Sequence, residues 1–385
     1  MIHKKIESYF KEHYSDSPIL IKAPGRINLI GEHTDYNEGL VLPASIEKGI
    51  YFAISGNDQH TIQIETFLTQ PEKIIFQLNG DHKKFESFWG NYFKAIIEIL
   101  ITKEYPLKGM DCVFGGDIPI GSGLSSSAAL CCGFIYAITK ISGKEISRED
   151  IALIAQEAEH KIGLNCGLMD QYAVLFGKKG NAFFLDCKDL SHSYIPINLE
   201  GYSWVLVNSN IKHNLAVDSE YNKRRVSCEN IVKQVQKYKP EVTSLRDVTL
   251  EDLVTVKNNA KEIDVQRAKY VIEENDRVRK MMKVLTEGDA NAVGEVLKEG
   301  HWAMSTQYEI TTKELDALVQ IGESQDGVLG SRMMGGGFGG CTINLIKTDK
   351  LEESIKSILT QYKKQTKIDA EYYHLAIDDG VKVFE

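Results

Sequence analysis

The stretch IPIGSGLSSSAAL, Ile118–Leu130, carries two glycines into the start of an apolar run of helical length, Leu124 to Ile141, and it follows an apolar strand, Met110 to Phe114. Strand, glycine turn and helix in that order are the junction of an α/β protein, and three serines, Ser125, Ser126 and Ser127, fall in the helix's first turn. Free N–H groups at a helix N-terminus and the positive end of its dipole attract phosphate, and glycines let the backbone come close to it. Serine hydroxyls add donors, and one of them can ligate Mg²⁺. The pattern is not a Walker A loop, because no Gly-Lys-Ser/Thr follows. Nor is it the dinucleotide GxGxxG, because Leu124 and Ser125 to Ser127 stand where the third glycine belongs. A glycine–serine turn that only caps its helix is the plain alternative.

Upstream, Ile19 to Lys22, Gly39 to Ile46, Ile50 to Ser55, Thr61 to Phe67 and Lys73 to Leu78 alternate or run apolar between turn residues and predict strands. Phe88, Tyr92, Ile96, Ile97 and Leu100 recur at three and four residues, the spacing of one helix face. Downstream, Ser147 opens a helix with Asp150 three residues on, and Asn181 to Asp186 and Trp204 to Asn208 predict strands. From Asp218 to about Gln320 the chain is charged, amphipathic and helical, with a break near Lys239-Pro240. Gly330 to Gly340 reads as a glycine-dense turn, Thr342 to Ile346 and Val381 to Phe384 as strands, and Leu351 to Tyr362 as a helix. The sum is an α/β (α+β) protein of two lobes, residues 1–190 rich in strands and 191–385 rich in helices, and roughly 150 residues per domain asks the same of this length.

Hydrophobic residues at 43% and charged residues at 26% are those of a soluble globular chain, which excludes a disordered or fibrous protein. A net charge of −9 argues against a nucleic-acid or anionic membrane partner. MIHKKIESYFKEH lacks the apolar core of a secretory signal, and the longest apolar run, Ala128 to Ile138, falls short of the ~18 residues that a spanning helix needs, so a cytoplasmic protein is expected. The seven cysteines include no CxxC pair, and Cys131-Cys132 adjoin in the apolar helix, so they read as buried thiols rather than a disulfide framework or zinc site.

Three further constellations carry chemistry. GRINLIGEHTDYN, Gly25 to Asn37, packs Arg26, Asn28, Glu32, His33, Asp35 and Asn37 between two strands. Its carboxylates can accept from vicinal sugar hydroxyls while Arg26 supplies a fixed cation; a polar loop with internal ion pairs is the alternative, and a Mg²⁺ or phosphate neighbourhood is equally open. SRMMGGGFGGCT, Ser331 to Thr342, sets five glycines within six positions before a strand, which suits either close backbone approach to a ligand or a hinge. GLMDQY, Gly167 to Tyr172, offers Asp170 as a general base or as the N-cap of the helix Gln171 to Phe176, and Glu159 and His160 lie on the helix before it.

Together and in this order, the loops resemble the GHMP kinase superfamily. GRINLIGEHTDYNEGLVLP, Gly25 to Pro43, resembles the signature of its galactokinase branch, with weaker similarity at WGNY (Trp89 to Tyr92), GLMDQYAVLFGKKGNAFFLDC and VNSNIKHNLAVDSEYNKRR. The resemblance implies a bilobal enzyme with its site in the cleft between lobes, phosphorylating α-D-galactose at the anomeric hydroxyl with MgATP. By position, Arg26 and Asp170 match the catalytic arginine and base, and Glu32, His33, Thr34, Asp35, Gly167, Asp170 and Tyr221 match sugar-binding positions. Gly121, Ser122, Gly123, Leu124, Ser125, Ser126 and Ser127 match the phosphate cradle, Trp89 an aromatic near adenine, and Ser127 and Glu159 the Mg²⁺ ligands. The partners implied are galactose and ATP, bound by a monomer. A kinase for N-acetylgalactosamine and a non-catalytic galactose sensor are the alternatives. Two departures stand out: the segment from Glu159 to Asp170 is one residue shorter than the family pattern, and Met334 replaces its Thr.

Overall fold

A computed structural model of the chain describes residues 2–14, 17–67, 71–78, 85–119, 121–211 and 217–384. Ile120 of the phosphate loop and residues 212–216 of the segment beginning VNSN lie outside the described residues. The strands are β1 Ile19–Asn28, β2 Leu40–Val41, β3 Pro43–Gly56, β4 Thr61–Thr66, β5 Lys73–Gln77, β6 Met110–Gly116, β7 Asn181–Asp186, β8 His192–Pro196, β9 Tyr202–Asn208, β10 Val328–Met333, β11 Cys341–Lys347, β12 Glu371–His374 and β13 Lys382–Val383. The helices are α1 Ile2–His13, α2 Phe88–Thr102, α3 Ser126–Ser142, α4 Arg148–Lys161, α5 Met169–Phe176, α6 Val217–Val235, α7 Leu250–Val256, α8 Glu262–Glu287, α9 Ala290–Ala303, α10 Lys313–Glu323 and α11 Leu351–Thr366.

Three sheets result, in the orders β13-β1-β3-β6-β4-β5, β10-β11-β9-β12 and β2-β7-β8. The expected break between Ile46 and Ile50 does not occur. β3 runs through Glu47-Lys48-Gly49 because β1 pairs along its length and β6 pairs along its second half, so its backbone groups are satisfied in place. β1 likewise extends past Lys22 into the first polar loop, as far as Asn28, and a register shift between Pro24 and Arg26 breaks its ladder just before Arg26. The glycine-dense turn is shorter than expected, since Gly330 to Met333 belong to β10, paired with β11 across Met334 to Gly340.

One core lies between the six-stranded sheet and the helices α2 to α5, with Ile21, Phe52, Ile64, Phe93, Phe134 and Ile135 fully buried in it. A second joins the first polar loop to the later half of the chain: Ile27, Leu29 and Ile30 pack with Val278 and Met281 of α8, Val296 of α9 and Ile343 of β11. Met334 is buried there too, in one cluster with Leu124, so the residue that departs from the family pattern ties the third loop to the phosphate loop by apolar packing. The helices start where the sequence provides caps. Ser147 accepts from the Asp150 N–H at 3.0 Å, and Thr249 and Asp252 form a reciprocal capping box.

Candidate active site

The three loops and GLMDQY converge on one cleft of about 240 Å³. Arg26, Glu32, His33 and Asp35 border it from the first loop, Ser127 and Glu159 from α3 and α4, Gly167 and Asp170 from the α5 entry, Tyr221 from α6, and Gly335 to Gly337 from the third loop.

Arg26 and Asp170 form a two-point pair, Nε to Oδ1 at 2.8 Å and Nη2 to Oδ2 at 3.0 Å, a geometry in which the guanidinium fork fixes the carboxylate's plane. The third guanidinium nitrogen donates to the Gly123 carbonyl at 2.5 Å, and the Ser125 hydroxyl donates to Asp170 Oδ2. Asp170 is therefore no helix cap. Leu168 holds that position, and the Asp170 carboxylate is turned to the cleft.

On the sugar-loop side, Glu32 is buried and ion-paired with Arg332 of β10. His33, at φ 62°, points Nε2 at the Gly336 carbonyl, 3.2 Å away, and Nδ1 at the Tyr36 hydroxyl, 2.7 Å away. A carbonyl only accepts, so Nε2 carries the proton and Nδ1 accepts from Tyr36, whose oxygen is in turn 2.8 Å from the Tyr308 hydroxyl. Burial pushes the imidazole down to about 4, against the Gly336 bond and helped by the Arg224 charge, so His33 is neutral. Asp35 moves the other way, up to about 6, through burial first and the neighbouring Asp170 charge second. A methyl group on Gly167 would stand 2.0 Å from Asp35 Oδ2, so only glycine leaves that carboxylate its place. Thr34 is fully buried, and its hydroxyl bonds the carbonyls of Gly31 and Leu40, closing the turn that presents its neighbours.

On the phosphate side, Gly121 and Gly123 adopt φ of 73° and 72°, Ser122 is buried with its hydroxyl on Pro119, and Ser125 caps α3 in the left-handed region. The α3 N-terminus, with Ser126 and Ser127 in its first turn, faces the cleft beside Arg26. Ser127 hydrogen-bonds Glu159, and Gln171 donates to the same carboxylate; burial pushes Glu159 up to about 7, opposed by those bonds and helped by the Asp170 charge. One carboxylate and one hydroxyl are hard oxygen donors of the kind Mg²⁺ takes when nucleotide phosphates and water complete its shell. Among the described residues no group of three or more His, Cys, Asp or Glu could hold a metal on its own. Trp89 lies apart from this cleft: its indole N–H donates to Glu72 at 2.8 Å and its ring packs edge-on against Phe93 and Phe114.

Sequence reasoning missed Asn165, Cys166, Asn222 and Met169, which also border the cleft, and Tyr36, Tyr308 and Arg332, which stand behind it. Cys166 and Met169 flank residues already singled out, and Tyr36 lies inside the first loop, so adjacency was an available signal for them. Arg332 lies inside the third glycine-rich motif and had the same signal, whereas Tyr308 had none.

Known proteins resemble this chain along its length. The galactokinase galactose-binding signature matches residues 8–56, the GHMP kinases N terminal domain residues 91–178, and the GHMP kinases C terminal domain residues 281–365. The galactokinase of Thermotoga maritima is 37% identical over 94% of this chain and 99% of its own, and that of Clostridium acetobutylicum 36% identical over 99% and 98%. The crystal structure of Lactococcus lactis galactokinase complexed with galactose superposes with a TM-score of 0.94 at 31% identity, covering all of both chains. Methanococcus jannaschii mevalonate kinase, 18% identical, shares the fold with a TM-score of 0.66 over 94% of this chain and 99% of its own. Among the described residues no helix is long and apolar enough to cross a membrane.

Proposed function

The chain belongs to the galactokinase family of the GHMP kinases and is a sugar kinase that phosphorylates galactose; from that premise we propose how its residues divide the work. The family uses ATP as phosphoryl donor. The lobes are taken as residues 1–190 and 191–385, with sugar and phosphate groups meeting where both border the cleft. The observation that carries the reading is the Arg26 guanidinium, bonded on one side to Asp170 and on another to the Gly123 carbonyl of the phosphate loop. One cation thus touches the candidate base and the candidate phosphate cradle together.

Phosphoryl transfer asks mainly for positioning and charge stabilisation. Glu32, His33, Asp35, Gly167 and Tyr221 hold the sugar, the carboxylates accepting from its hydroxyls and neutral His33, its ring nitrogens bonded to Gly336 and Tyr36, lining the site with its ring. Thr34 supports the turn that carries them. The backbone from Gly121 to Ser127, with the α3 N-terminus, holds the phosphates. Glu159 and Ser127 would hold Mg²⁺, which supplies charge neutralisation at the phosphates when bound. Asp170 accepts the anomeric hydroxyl proton as that oxygen bonds to the terminal phosphorus and the bond to the ADP oxygen breaks. Arg26 holds Asp170 in the acceptor geometry and faces the charge that develops. Trp89 is the residue of this set least supported by geometry, because it lies apart from the cleft and its N–H already bonds Glu72.

A substrate panel tests the reading: galactose, its 2-acetamido-2-deoxy analogue, glucose and arabinose, each with MgATP. A site of buried acceptors rejects a sugar whose hydroxyl is misplaced, so galactose should exceed glucose by ~10²-fold or more in kcat/KM. Comparable values for the two would overturn the sugar-cage reading. A clear preference for the 2-acetamido sugar would move the assignment to that substrate, and galactose binding without ATP consumption would make the chain a sensor.

A further inference from the structure

Arg332 has no exposed surface and no part in the assignment above. It stands in β10 opposite Ile343. Its Nη2 is ion-paired with Glu32 Oε2, its Nη1 donates to the Leu29 carbonyl at 2.5 Å, and the Met304 sulfur lies 3.8 Å from Nη2. The other Glu32 oxygen accepts from the Gly335 N–H at 3.3 Å, and the Tyr270 hydroxyl bonds the Glu32 backbone carbonyl at 3.2 Å. Glu32 borders the cleft and Arg332 lies behind it.

A pair this deeply buried is weak evidence for a stabilising role, because well-packed apolar residues of the same volume hold a core as well or better. What apolar residues cannot do is keep a carboxylate ionised in a dry wall; unpaired there, it takes up a proton. An ionised carboxylate accepts only, with about four lone-pair sites, and Arg332 and Gly335 take one on each oxygen. Lone pairs remain beyond these two partners, on a side chain that lines the cleft. The Leu29 bond anchors the guanidinium to the sugar loop, one residue past the end of β1, so the carboxylate is held in place as well as charged.

We infer that Arg332 is a positioning residue for sugar recognition: its ion pair fixes Glu32 as an ionised, aimed acceptor for a galactose hydroxyl, and so couples the third glycine-rich segment to the sugar loop. The inference rests on the reading of Glu32 as a sugar-binding residue. The other ionisable groups nearby are engaged elsewhere or at a distance from the carboxylate. Glu274 of α8 pairs with Arg277 at 2.5 Å and takes the Gly31 N–H, Tyr270 of α8 bonds the backbone of Glu32, His33 points to Gly336 and Tyr36, His301 of α9 takes the Met333 N–H, and Asp35 accepts from the Tyr36 N–H.

The test compares Glu32→Gln, Arg332→Met, Arg332→Lys and the double variant E32Q/R332M, measuring kcat and the KM for galactose and for ATP across the neutral range. Arg332→Met should raise the galactose KM by ~10²-fold while the ATP KM stays within about two-fold, since a buried acceptor has lost its counter-ion. It should also bring a new titration into kcat/KM for galactose, activity rising with pH as the unpaired Glu32 ionises, and E32Q/R332M should lack that titration. Arg332→Lys keeps the charge without the fork and should fall between. Unchanged galactose KM in Arg332→Met, or equal losses in both KM values with an unaltered pH profile, would overturn the inference while Glu32→Gln remains defective. A normal galactose KM in Glu32→Gln would overturn the reading of Glu32, and the inference with it. If Arg332→Met does not fold, the double variant decides: a galactose KM matching Glu32→Gln supports the coupling, and one about ten-fold worse refutes it, because Arg332 would then act other than through Glu32.

Discussion

Replacing Asp35 by Asn should make the protein more stable and less able to bind galactose. The Asp35 carboxyl is pushed from its ordinary 3.8 to about 6 by burial and by the Asp170 charge, against the Tyr36 N–H bond and the Arg26 charge. The difference between 6 and 3.8, at about 1.36 kcal/mol for each pH unit, corresponds to about 3 kcal/mol of unfavourable interaction in the ionised folded state. The residue keeps partial contact with solvent, and screening there brings the figure to about 1–2 kcal/mol. The sign follows from linkage. Well below the ordinary 3.8, at about pH 3, the carboxyl is protonated whether the chain is folded or not, so parent and variant should match. Between about 4 and 6 the unfolded chain ionises first, and the parent alone loses stability as pH rises; above 6 the whole difference persists. Urea unfolding at about pH 3, 6 and 8 would show the Asn variant ahead by about 1–2 kcal/mol at the highest pH and level at the lowest. Lower stability of the variant at pH 8, or a gap that ignores pH, would refute the reasoning. In the parent enzyme, kcat/KM for galactose should fall about ten-fold per pH unit below 6, as the protonated carboxyl loses acceptor capacity.

Asp170→Asn should lower kcat by at least ~10²-fold with a smaller change in galactose affinity, because Asn keeps the shape but cannot take the proton; near-parental turnover in a steady-state assay would remove Asp170 as base. Gly167→Ala puts a methyl group 2.0 Å from Asp35 Oδ2 and should cost about 10²-fold in galactose affinity by calorimetry in a protein with unchanged circular dichroism, whereas parental affinity would show that the Asp35 carboxylate need not stay where it is. Ser127→Ala should raise the Mg²⁺ and ATP requirement and leave galactose binding without ATP intact, and calorimetry showing the reverse would undo the division between the two loops.

The α/β fold and the chemistry of the four segments were legible because each segment is contiguous and its chemistry local, while their meeting in one cleft was implied by the family resemblance. Glycines before a helix start, a carboxylate-rich turn, and Asp170 three residues after Gly167 can all be read without knowing the tertiary structure. What escaped has distance or exposure as its cause. The Glu32–Arg332 pair and the Tyr36–Tyr308 bond join residues far apart in the chain, and no periodicity marks them. β8 and β12 went unread because both are mostly exposed, so neither shows the alternation that a half-buried strand does. β3 was read as two strands because Glu47 and Lys48 interrupt its apolar run, although pairing with its neighbours carries the backbone through.

The partners of β1 bear on synthesis. One side of β1 is covered by β3, which follows almost at once, while the other is covered by β13, with Val383 opposite Ile21 and Lys22 bonded to Asp378 at 2.6 Å, 356 residues further along. At the usual ribosomal pace of about 5–20 residues per second, that second side stays open for roughly 20–70 s after β1 emerges. Throughout that interval the nascent chain presents an unpaired strand edge of the kind that recruits other strands. The sugar loop is made in the first tenth of the chain, yet its partners Tyr221, Tyr308, Arg332 and Gly336 arrive only later. Binding competence is thus a property of the whole translated chain, and soluble yield should depend on chaperone capacity during that wait more than on the finished enzyme's stability.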